Sequence, residues 1–88
     1  MSRSKLEKAM SEVEAVSLDL HKALDALKSA RKHNRGVGVT EARVKAETVE
    51  AALETAFDKA MNEWRALPWD ERGDRPQCKA LERAELII

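Results

Sequence analysis

The sequence has few of the residues that cross-link a small protein or interrupt its helices and strands: one cysteine, two prolines and three glycines among 88 residues. A lone cysteine excludes an internal disulfide and favours a reducing compartment, so we expect a cytoplasmic protein. Tyrosine is absent, and tryptophan and phenylalanine together number only three. Because Pro and Gly are scarce, disorder throughout the chain is not expected.

The chain also lacks an excess of either charge, since sixteen Lys and Arg balance sixteen Asp and Glu. A net charge of zero removes any global argument for binding to nucleic acid or to an anionic membrane. No apolar run is long enough to span a bilayer, and no segment has the pattern of a signal peptide. The sequence therefore predicts a protein without a membrane partner.

What the chain does contain is typical of helices. Charged residues make up 36% and hydrophobic residues 43%, and Ala, Glu, Lys, Leu and Arg are abundant. Residues 1–39 hold eight basic against five acidic residues, a net charge of +3, while residues 40–88 hold eight against eleven, a net charge of −3. Such complementary halves favour an antiparallel hairpin, or two hairpins packed in a dimer, over a binding surface of one charge. A chain of this length forms one small domain, over residues 1–88.

The first amphipathic run predicts a helix over residues 4–34, with Ser4 and Glu7 as a capping box at its start. Its apolar residues recur at intervals of four and three, and flanking alanines widen the stripe to about three residues in seven. This width is typical of a helix buried in a bundle. We expect three leucines of the stripe to lie in the core or a dimer interface: Leu20, Leu24 and Leu27.

A turn over residues 35–39 is predicted to separate this helix from a second one over residues 40–67. Gly36 is well placed to end the first helix in a left-handed conformation, and Thr40 can cap the second. A turn this short makes the two helices antiparallel neighbours. The second helix is expected to contribute three large residues to the core or dimer interface: Leu53, Phe57 and Trp64.

The segment 68–75 is predicted to break the second helix, because Pro68 forces the residue before it out of the helical region. Pro68 can start a short turn that Gly73 closes, and a short third helix is predicted over residues 76–87. The chain ends in three bulky aliphatic residues, which we expect to dock on the hairpin, on a second copy or on another protein.

The predicted fold class is all-α: an antiparallel helical hairpin of two long helices plus a short C-terminal helix. Each long helix has an apolar stripe broader than one neighbour covers, and the third helix is too short to cover the rest. We therefore expect a homodimer that forms a four-helix bundle.

Catalytic, metal and cofactor motifs are not found in the sequence. His21 and His33 have no second His or Cys at ligand spacing, whereas a structural zinc site needs about four ligands. The carboxylates of the second helix are expected on its solvated outer face. Without a polar pocket to hold a substrate, we expect no enzymatic activity, no metal and no cofactor.

The remaining surface residues favour a protein-interaction module, namely an adaptor, a chaperone or an inhibitor that occludes a site on a larger protein partner. Apolar residues outside the stripes or beyond the break are its candidate contacts: Trp69, Leu86, Ile87, Ile88 and Leu18.

Nucleic-acid binding by the hairpin tip is the alternative function, because phosphate contact needs a local concentration of Lys and Arg. The candidate cations cluster around the turn: Lys28, Arg31, Lys32, Arg35 and Arg43. A helix C-terminus favours cations for its own electrostatic reasons, however. The cluster also has no aromatic residue on which a base could stack.

Overall fold

A computed structural model describes residues 2–33 and 36–88. The described residues form three α-helices, α1 (Ser2–Lys32), α2 (Gly36–Ala66) and α3 (Lys79–Ile87), with one 3-10 turn at Trp69–Glu71. The two long helices pack against each other along their length, and α3 packs against both. The predicted all-α class and the helical hairpin are thus confirmed.

The boundaries around the hairpin tip differ from the predicted ones. The predicted turn over 35–39 is wrong from Gly36 onward, because Gly36 opens α2 and Thr40 lies inside it. Asn34 and Arg35 lie outside the described residues. A glycine inside a helix costs about 1 kcal/mol relative to alanine, and the packing of Val39 and Ala42 against the core offsets that cost.

The start of α1 also differs from the prediction. The helix begins at Ser2, so Ser4 lies within its first turn and is not the N-cap of a capping box. At the other end α1 stops at Lys32, two residues before the predicted boundary. Fraying of terminal turns makes shifts of this size ordinary in a helix whose central apolar stripe sets its position.

The seam between α1 and α2 is built from alanines and larger aliphatic side chains. Alanines at the seam let the two backbones approach closely, and leucines fill the space between them. The register is antiparallel, with Nζ of Lys59 lying 3.9 Å from Oε2 of Glu12. The buried residues of the two long helices are Ala9, Val13, Leu20, Ala23, Leu24, Leu27, Ala46, Leu53, Ala56, Ala60 and Met61.

The short helix α3 lies beside the half of the hairpin nearer its tip and runs parallel to α1. Three contacts show this direction, because residue numbers increase along both elements in the same order: Ser17 with Cys78 at the N-cap of α3, Asp25 with Arg83, and Arg31 with the carbonyl of Ile87. Ala80 and Ala84 are buried against the hairpin. This packing covers part of the apolar stripe that we expected a second chain to cover.

The predicted start of α3 at residue 76 is wrong, because the helix begins at Lys79 and Cys78 before it is extended, with φ −134° and ψ 97°. In the antiparallel register Leu67 lies opposite Ser4, so the chain must climb about 20 Å along α1 to bring Cys78 beside Ser17. Ten extended residues reach about 33 Å, whereas ten helical ones reach about 15 Å. The return segment, residues 67–78, is therefore non-helical apart from the 3-10 turn at Trp69–Glu71.

Candidate protein-interaction surface

Among residues 4–33 and 38–88, whose burial the structure describes, four large apolar side chains are exposed to solvent: Leu18 by 63%, Val44 by 56%, Trp69 by 83% and Leu86 by 89%. Three of them belong to the predicted contact set. Val44 was missed, although its position outside the stripe of α2 could have revealed it. Single exposed aliphatic residues are ordinary, so the surroundings of each decide whether it is a candidate contact.

Trp69 lies in a segment, residues 67–72, that contacts within the chain hold in place; we call it the braced segment. The guanidinium of Arg72 lies 5.6 Å from the centre of the Trp69 ring and 5.4 Å from that of Trp64. Arg72 also donates hydrogen bonds from Nε to the carbonyl of Leu67 at 3.0 Å and from Nη2 to that of Arg65 at 2.7 Å. Arg65 lies in the last turn of α2 and Leu67 directly follows the helix, and the C-terminal end of a helix favours a cation. The segment that carries Trp69 is thus fixed to α2.

Trp64 takes part in these contacts with Arg72 and does not belong to the core of the hairpin. Its side chain is half-buried, and its indole N–H donates to the carbonyl of Arg72 at 3.0 Å. The prediction of Trp64 as a core residue is therefore corrected. An indole needs a partner for its N–H when it leaves water, and the return segment supplies one that the apolar seam lacks.

The other predicted core residues lie inside the single chain. Leu20, Leu24, Leu27 and Leu53 are fully buried. Phe57 is half-buried, and it packs against the core where α2 faces the return segment and α3.

The C-terminal tail divides its three aliphatic residues between two environments. Ile87 and Ile88 are half-buried and pack against the core of their own chain, whereas Leu86 points outward. The structure therefore assigns Ile87 and Ile88 to the hairpin's own packing. Of the tail, only Leu86 remains a candidate partner contact.

Leu18 borders a groove of about 450 Å³ between α1 and the start of α3. Its apolar lining comes from both elements: Met10, Val13, Leu18, Cys78 and Ala80. Ser17 also lines the groove, and its hydroxyl lies 3.7 Å from the thiol of Cys78. The groove is shallow and open, so it suits side chains of a second protein better than an enclosed small molecule.

Charges of opposite sign hold α3 to α1. Arg83 donates to a carboxylate oxygen of Asp25 and lies 2.9 Å from Nδ1 of His21. The hydrogen bond from Arg83 keeps the pKa of Asp25 below its ordinary value. On α2, burial raises the pKa of Glu50, and the carboxylates of Glu54, Glu47 and, from α3, Glu85 raise it further. Arg83 thus binds α3 to α1, whereas Glu85 lies near a like charge on α2.

The basic tip is partly occupied by contacts within the chain. Arg31 donates to the carbonyl of Ile87, and Nε of Arg43 lies 3.1 Å from a carboxylate oxygen of Glu47. Lys28 and Lys32 are exposed, and Arg35 lies outside the described residues. Among the described cations of the predicted cluster, the two lysines are therefore the ones available for phosphate.

No protein-family model, curated protein or solved structure matches this chain. In the part of the chain that the structure describes, no three His, Cys, Asp or Glu side chains are grouped to hold a metal ion. Within the same residues, no helix combines the length and apolarity needed to cross a bilayer.

Proposed function

We propose that the protein is a non-enzymatic protein-interaction module, an adaptor, chaperone or inhibitor that binds and occludes a larger protein partner. The exposed indole of Trp69 on its braced segment carries this proposal. Tryptophan supplies much of the binding energy at many protein interfaces. A side chain whose base is already fixed loses little conformational entropy when it binds.

We further propose that the protein acts as a homodimer in a four-helix bundle and works in the cytoplasm. Leu18 and its groove support the homodimer, because they present apolar surface that α3 leaves uncovered. In the hairpin register this surface lies about 20 Å along α1 from the end that carries Trp69. One surface can thus serve self-association while the other binds the partner. The single, free Cys78 supports a reducing compartment.

Replacing Trp69 by Ser is expected to lower affinity for the partner about thirtyfold, because truncating a central tryptophan costs about 2 kcal/mol or more at an interface. The measurement is quantitative capture of lysate proteins on immobilised wild type and variant, followed by titration of the protein that wild type retains.

Val44→Ser is the matched control, since Val44 is also an exposed apolar residue but lies on α2 away from the braced segment. Its capture profile should equal that of wild type. Equal retention by Trp69→Ser and wild type, with unchanged circular dichroism, would remove Trp69 from the proposed interface.

Nucleic-acid binding by the hairpin tip remains the alternative, and the exposure of Lys28 and Lys32 is the observation that favours it. The contacts of Arg31 and Arg43 within the chain count against it. If Lys28 and Lys32 each contact a phosphate, removing both should reduce the slope of log affinity against log salt concentration by about 1.8.

Under our proposal, Lys28→Ala/Lys32→Ala should elute from a DNA column at the same salt concentration as Lys5→Ala/Lys8→Ala. The second pair removes equal charge from the opposite end of α1. Earlier elution of the tip variant alone, with the smaller salt slope, would instead support the alternative function.

A further inference from the structure

We propose that a second copy of this chain packs on the outer face of α1 around Leu18, with the two α1 helices antiparallel across a two-fold axis. We name this surface the Leu18 face and define it by four exposed residues: Glu14, Ala15, Leu18 and Lys22. The inference rests on the homodimer of the proposed function, and it specifies the interface and the orientation of the two copies.

The charges of the Leu18 face are placed symmetrically about its centre. Glu14 lies four residues before Leu18 and Lys22 four residues after it, so all three project from the same side of the helix. Each charge is about 6 Å from Leu18 along the axis. The face therefore carries an acidic group at one end, a basic group at the other and an apolar residue between them.

A copy turned end over end about Leu18 brings its own Lys22 opposite Glu14, and its Glu14 opposite Lys22. Two equivalent ion pairs then flank a contact between the two Leu18 side chains. Parallel packing in the same register would place like charges together, which disfavours it. A two-fold interface requires one patch that is complementary to itself, and the Leu18 face meets this requirement.

The two charges are available for such pairing. In the part of the chain that the structure describes, the side chains of Glu14 and Lys22 take part in no hydrogen bond or ion pair. Leu18 is 63% exposed, and the groove beside it offers further apolar surface to the second copy. The face has no net charge, so it does not favour a phosphate backbone or an anionic lipid surface.

Exchanging the charges one at a time provides the test. Glu14→Lys places two lysines opposite each other at both ends of the interface, and Lys22→Glu does the same with two glutamates. Each single variant should dissociate at a concentration at least tenfold higher than wild type, as measured by light scattering on a sizing column at low salt. An equimolar mixture of the two variants should restore the dimer, because each lysine then meets a glutamate.

The double variant Glu14→Lys/Lys22→Glu should also dimerise as wild type does, since it reverses both ends together. Asp58→Lys is the control, with the same change of charge on an exposed site of α2. Leu18→Glu should dissociate the dimer, since it places two carboxylates at the two-fold axis.

The outcomes separate this inference from the proposed function. A wild-type dimer that neither single exchange nor Leu18→Glu weakens would overturn the α1 interface while leaving the homodimer in place. A wild-type monomer throughout the micromolar range would overturn both the interface and the homodimer. Partner binding through Trp69 is read separately from the capture experiment, since that residue lies outside the Leu18 face.

Discussion

Leu24→Ala is expected to lower the free energy of unfolding by about 2–5 kcal/mol, the cost of removing a fully buried leucine and leaving a cavity. Leu24 has no solvent-exposed surface and belongs to the main core cluster. A domain of this size is stable by only about 4–13 kcal/mol, so the loss removes a large share of its stability. Urea denaturation followed by far-ultraviolet circular dichroism measures it directly.

Leu18→Ala is the matched control, because it makes the same chemical change on the same helix at a side chain that is 63% exposed. Its effect should stay within about 0.5 kcal/mol, as for most surface substitutions. The comparison must use a protein concentration at which only monomer is present, since dimerisation adds a stabilisation that depends on concentration. Equal losses for the two variants would contradict the placement of Leu24 in the core.

The helical class and the main core residues could be predicted because they follow from local periodicity. Leucines at intervals of four and three can share one side only in a helix, and the structure buries Leu20, Leu24 and Leu27 together. The position of α2 was less accurate at its start. Glycine is a poor helix former, yet helix propensity is a weak preference, and α2 begins at Gly36 and continues through Gly38.

The environment of Trp64 could not be predicted from its spacing. The stripe of α2 places it on the buried side, but its partner Arg72 lies eight residues further on, beyond a proline. Their contact depends on the path of the return segment, which no helical period describes. The same is true of Arg83 and Asp25, which are 58 residues apart in the chain.

Which of the three aliphatic residues of the C-terminal tail could contact a partner could not be predicted from the sequence. Leu86, Ile87 and Ile88 are consecutive and equally apolar, so composition treats them as one group. Successive residues of a helix point about 100° apart, and the docking of α3 decides which of the three turns outward. Only Leu86 does so, which separates the tail's packing role from any contact with a partner.

The docking of α3 depends on a small set of apolar contacts. Its buried residues are Ala80 and Ala84, and Leu81, Ile87 and Ile88 add partly buried surface. Ala84→Glu would place an unpaired carboxylate where the native side chain has no exposure to solvent. Burying such a charge costs several kcal/mol. We expect this cost to exceed what a docked helix of nine residues contributes, so α3 should leave the hairpin while α1 and α2 stay paired.

Hydrogen exchange should then show loss of protection confined to the nine residues of α3, and trypsin should cleave faster after Arg83. Leu86→Glu introduces the same side chain two residues away, where the native residue is 89% exposed, and it should leave both measurements unchanged. Global unfolding of Ala84→Glu would mean that α3 and the hairpin form one cooperative unit. Full protection of α3 in that variant would contradict the docking geometry itself, because a docked α3 would keep the new carboxylate at a position that is closed to solvent.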